Sequence, residues 1–135
     1  MRTKFLVVMV AAVLLASAGR VLAHHSFSAE FDSTKPFKMT GTVTKVEWMN
    51  PHTFFYIDVV DEKAAKKVTN WAMEMGSPNG LMRQGWTRNS MKIGDKVTVT
   101  GSLAKDGSPT GNARTVTLEA TGKRLFAASS QGTTP

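Results

Sequence analysis

The sequence predicts a mainly β protein, a small OB-like Greek-key barrel of five or six strands with one short helix between strands three and four. Three observations point there. Apolar and polar residues alternate over several strand-length stretches, most strictly at Val97-Thr98-Val99-Thr100. One helix-start signal, Gly76-Ser77-Pro78, falls between the third and fourth of those stretches. The first stretch changes phase midway, as a long, bent first barrel strand does. No heptad pattern or internal repeat competes, and a two-sheet sandwich calls for more strands than the chain supplies.

With 135 residues, the chain holds a single domain. Met1–Ala23 has the form of a signal peptide: Arg2 and Lys4 precede the unbroken apolar run Phe5–Leu15, and small residues follow. That run is short for a membrane span, which needs about 20 residues, and Arg20 bounds it, so no stable membrane insertion is expected after cleavage. Ala16-Ser17-Ala18 and Val21-Leu22-Ala23 both satisfy the small-x-small rule. Cleavage after Ala23 is preferred, since cleavage after Ala18 leaves only a short segment behind the apolar run. Three of the 17 basic side chains lie in this leader, leaving 14 against 10 acidic ones, a net +4 rather than the +7 of the whole chain. That excess gives no reason to invoke nucleic acid. With no cysteine, disulfides, thiolate metal sites and cysteine nucleophiles are excluded.

Residues 24–36 are expected to form an N-terminal arm, residues 37–127 the barrel and residues 128–135 a flexible tail. In the arm, Phe27 and Phe31 are four apart and fit either one helical turn or a segment laid across the barrel by its two rings. Phe37, Met39, Gly41 and Val43 alternate, and then Val46 and Trp48 take over in the opposite phase. The change predicts a bulge or strong bend, for which Gly41 supplies local freedom. Asn50-Pro51 favours a turn. The second strand puts Phe55, Ile57 and Val59 on one face. Asp61–Lys67 is a charged hairpin connection, and the third strand sets Trp71, Met73 and Met75 on one face. Ser77 caps a short helix with Pro78 in its first turn and Gly85 as its stop. Trp86 and Met91 are expected to seal the core beneath it. Ile93–Gly101 is a turn and a fourth strand. In the fifth strand, Ala113, Thr115 and Thr117 alternate with Val116 and Leu118, and Lys123–Phe126 adds a short sixth.

The chain has three histidines, His24, His25 and His52. After cleavage at Ala23, His24 becomes the first residue and offers a metal its α-amine and a ring nitrogen together. A third nitrogen from His25 or His52 completes a set suited to copper, and Met49 beside the turn adds a soft thioether. The same histidines also fit a solvent-exposed terminal pair and a ring bonded within its own turn. Met39, Met73 and Met75 fit core positions better than a methionine ligand stripe. Gly76–Gly80 lacks the lysine and the glycine pattern of a phosphate cradle and fits an ordinary capped turn. Trp48, Tyr56, Trp71 and Trp86 could stack bases, but no basic side chains interleave with them. Glu30, Asp32, Glu47, Asp58 and Glu74 are scattered, and no nucleophile elbow is present, so no catalytic set emerges.

Several segments together resemble a family of small exported bacterial proteins, domain-of-unknown-function family 6152. They are Ala23-His24-His25-Ser26-Phe27, the stretch from Gly41-Thr42-Val43 through Glu47-Trp48 to Asn50-Pro51-His52, and Trp71–Asn79. Gly85-Trp86-Thr87 and Gly94-Asp95 complete the set. The resemblance runs from His24 to about Phe126 and implies a Gram-negative, periplasmic setting with paired histidines directly after the leader. It implies no activity, substrate or catalytic residue. The expected function is therefore that of an exported, periplasmic, non-enzymatic binding protein. Its candidate ligand is a transition metal, copper, held by His24, His25 and His52. The alternative is a structural or protein-interaction module whose partner is an envelope protein.

Overall fold

A computed structural model describes residues 27–128. A single helical turn, α1 (Phe27–Glu30), leads into β1 (Phe31–Glu47), β2 (Phe54–Asp61), β3 (Lys67–Glu74), α2 (Pro78–Arg83), β4 (Lys96–Ala104), β5 (Thr110–Leu118) and β6 (Lys123–Phe126). The strands make one sheet in the order β3-β2-β1-β4-β5-β6, and β3 additionally pairs with β5. That extra pairing curls β1 to β5 into a barrel-like ring and leaves β6 outside it. It is the ring's parallel seam, and it is short: Ala72↔Thr110, Met73↔Gly111 and Glu74↔Asn112. The expected sequence of elements holds, with the helix between the third and fourth strands, and the ring is barrel-like without being a formal barrel.

The ring encloses one core. Phe55, Ile57, Met73, Met75, Val97, Val99, Ala113 and Val116 are fully buried, so the inward faces of β2 to β5 are apolar as alternation requires. Met39 packs against this cluster as a partly buried filler. The helix forms for local reasons: Ser77 Oγ accepts a hydrogen bond from Gly80 N at 3.2 Å and Pro78 occupies the first turn. Its chain exit passes through Gly85 at φ 90°. Leu81, Trp86 and Met91 close the core beneath it, and Trp86 Nε1 donates to the Phe126 carbonyl at 2.8 Å, fastening β6.

The predicted phase change in β1 is a bulge against β2 between Val43 and Lys45. Gly41 lies outside it. Its role is close approach: a Cβ there would stand 2.7 Å from the Asp58 carbonyl oxygen of β2. A second irregularity, against β4 between Asp32 and Pro36, lies where a separate arm is expected; β1 already begins at Phe31, which pairs with Ala104. Phe27 and Phe31 stack with ring centroids 5.7 Å apart across the single helical turn.

The fifth strand departs from simple alternation. Gly101 pairs with Ala113 and Thr100 with Thr115, so Arg114 is the extra residue of a bulge. Ala113 consequently shares the inner face with Val116 rather than the outer face with Thr115 and Thr117.

Candidate functional site

His52 stands in the turn between β1 and β2, just after the cis Asn50–Pro51 peptide. The next residue anchors the turn to the end of β3: Thr53 N donates to the Gly76 carbonyl at 3.0 Å, and Met75 N donates to the Thr53 carbonyl at 2.8 Å. Register then carries Phe54 opposite Glu74, which brings a carboxylate to the histidine. His52 Nδ1 lies 3.2 Å from the Met75 carbonyl oxygen and 3.5 Å from Glu74 Oε1.

Both neighbours of Nδ1 are acceptors, so Nδ1 carries the proton and donates. In a neutral ring that leaves Nε2 with its lone pair, the state in which a histidine ligates a metal. An imidazole held through its other nitrogen by a carbonyl and a carboxylate is the usual support of a ligating histidine. The ring is 36% exposed and Glu74 only 12%, so the carboxylate backs the ring and the ring faces outward. Asn112 Nδ2, on β5, approaches the same Glu74 oxygen at 3.5 Å. Beside the ring, Thr53 is fully buried and its hydroxyl has no hydrogen-bond partner among the described residues.

The other candidate ligands, His24 and His25, lie outside the described residues, as do the segment expected to be a signal peptide and residues 129–135 of the expected tail. Met49 is half-exposed beside the turn. Among the described residues, no three histidine, aspartate or glutamate side chains cluster as a metal site, and no helix is long and apolar enough to cross a membrane. Glu74 is the member of the site that sequence inspection passes over. Its only signal is the Phe54↔Glu74 register, which becomes legible once both strand ends are known.

A second polar group closes the same end of the β1–β2 pair. Tyr56 Oη donates to Glu47 Oε2 at 2.9 Å, Lys45 pairs with the other Glu47 oxygen, and the Lys45 ammonium lies 5.1 Å from the Tyr56 ring centroid. The hydrogen bond from Lys45, followed by that from Tyr56, holds the Glu47 carboxyl below its ordinary value. The bond to Glu47, and then burial, push the Tyr56 phenol up. Glu47 therefore contributes stability that is present above its unfolded pKa and lost as pH falls through the lower folded value. Tyr56 contributes stability that is present below its unfolded pKa and lost as pH rises through the higher folded value. A stability plateau between about pH 4.3 and about pH 10 is expected from this pair. Tyr56→Phe should remove the alkaline part of the decline, and urea unfolding carried to pH values above that plateau checks it; an unchanged alkaline limb would refute the assignment.

Fold and site together define a small barrel-like β protein with a histidine presented on its first interstrand turn. The chain belongs to the family described as "Family of unknown function (DUF6152)", whose model matches residues 11–114, through the bulge of β5. No curated protein and no solved structure matches it.

Proposed function

We propose that the protein is an exported, periplasmic, non-enzymatic binding protein that takes up a transition-metal ion, copper, through His24, His25 and His52. The observation that carries this reading is the hydrogen bonding of His52, whose Nδ1 faces acceptors and whose Nε2 lone pair is thereby left for a metal. Placement of the chain start adds support. Phe27 and Asn112 border one groove, and Asn112 touches the carboxylate that backs His52. The three residues before Phe27 span at most about 10 Å, and they include both remaining histidines.

The exported protein, with an intact mass that fixes His24 as its first residue, is expected to bind one Cu(II). One added residue ahead of His24, or His52→Ala, should each weaken binding at least tenfold. Glu74→Gln should weaken it by about 10–100-fold through loss of ring support. Equal affinity with and without the added residue would overturn the amine-chelate reading.

The second reading, an interaction module of the cell envelope, has one observation in its favour. Val60 and Val68 stand directly opposite each other at the β2–β3 hairpin and are 44% and 54% exposed. Metal-free protein that recovers one stoichiometric partner, lost on Val68→Lys, would favour it over the metal site.

A further inference from the structure

A depression among the described residues does not include His52, although Asn112 on its wall approaches Glu74. It is an open groove of about 970 Å³ where the start of β1, the second half of β4, the β5 bulge and the end of β6 meet. Its volume is at the upper end of what small-molecule sites use. Four aromatic rings border it: Phe27, Phe31, Phe37 and Phe126. The Phe37 ring can lie low in the groove because Gly101 and Gly111 have no side chains; a Cβ on Gly111 would stand 2.6 Å from Phe37 Cε1.

The charge of the groove is lopsided. Lys105, Arg114 and Arg124 line it against a single acid, Asp32. Asp32 is already occupied by bonds from Thr34 N and Oγ1 and by its ion pair with Lys35. Lys105 donates to the Ser28 carbonyl and pins α1 to β4. Arg114 and Arg124 make no ion pair among the described residues, and both are exposed. Arg114 reaches the groove because it is the extra residue of the β5 bulge, a device that re-aims one side chain at the cost of a local break in the ladder.

We infer that this groove is a binding site for an aromatic carboxylate: a flat apolar body lying against the phenylalanine rings, with its anionic group held by Arg114 and Arg124. Two guanidinium forks match a planar carboxylate better than they match a point charge. Thr100, Thr115, Ser102 and Asn112 add hydroxyl and amide groups to the walls. That composition suits a short aryl ligand and disfavours a long acyl chain. His52 is not among the residues that line this groove, and the site does not require the metal reading.

The test is titration of purified, chelator-treated protein with 2-naphthoate, decanoate and inorganic phosphate, followed by calorimetry and by NMR shifts. Naphthoate should bind saturably to one site, shifting Gly101, Gly111 and Thr115, and more tightly than decanoate or phosphate. Arg114→Gln and Arg124→Gln, both at exposed side chains, should each weaken it about tenfold, the worth of one charge-assisted bond. Tighter decanoate binding would overturn the ligand class. Binding of phosphate as tight as naphthoate, no saturable naphthoate binding, or unchanged affinity in both variants would overturn the site.

Discussion

Gly101→Ala is expected to destabilise the protein by about 3 kcal/mol or more, enough to lower the melting temperature by well over 10 °C in a domain of this size. A Cβ at Gly101 would collide with the backbone carbonyl of Asn112 and stand 3.1 Å from Phe37 Cε1. The colliding atom is main chain on the paired strand, so no rotamer change relieves it. Relief requires opening the β4–β5 ladder next to the bulge, and that ladder covers the buried Val97, Val99 and Val116. Gly94→Ala is the matched control. Nothing lies within 4 Å of a Cβ there, and only the φ of +93° resists substitution, so about 1–2 kcal/mol is expected. Urea unfolding of the pair separates the two mechanisms. A Gly101→Ala variant no less stable than Gly94→Ala would mean that the two strands do not approach as described.

Trp86→Ala should cost about 3–5 kcal/mol, the usual range for emptying a buried large aromatic site. Trp86 is 2% exposed beneath α2 and performs two tasks, filling the end of the ring and donating Nε1–H to the Phe126 carbonyl. Trp86→Phe separates them, since it keeps most of the ring and removes the donor. It should cost about 1–2 kcal/mol and loosen β6 more than the other strands, because β6 is four residues long and its ladder runs along β5 alone. Hydrogen exchange of Leu125 and Phe126 amides reports the selective part. Uniform loss of protection across all strands would argue that the indole bond contributes nothing specific to β6.

The elements themselves were legible because their causes are local. The Ser77-Pro78 pair caps a helix wherever it is followed by a compatible turn, and Val97–Thr100 alternates because one side of a strand faces a core. Even the bend of β1 left a trace, in the phase change ahead of Trp48. Its cause was misassigned, however: Gly41 serves an approach by Asp58 on the neighbouring strand, and no feature of residues 40–42 announces that neighbour. The fifth strand carries a comparable signal that simple alternation hides. Ala113 and Val116 are both buried three residues apart, a spacing that only an extra residue allows.

The candidate site divides in the same way. His52 stands out from the sequence because the Asn50-Pro51 turn must lie between two strands. Its proton donation to the Met75 carbonyl, and the carboxylate of Glu74 behind it, depend on a β2–β3 register that joins residues more than 20 positions apart. The arginine groove is less visible still, since it gathers side chains from α1, β1, β4, β5 and β6.

Strand identity and the capped helix follow from residue chemistry within a few positions, because propensity, capping and alternation act at that range. Closure of the ring through Ala72↔Thr110, the outward turn of Arg114 and the proton on His52 Nδ1 were decided by tertiary structure. Each depends on which backbone groups from distant strands meet, and pairing between strands is specified jointly by both partners rather than by either segment alone.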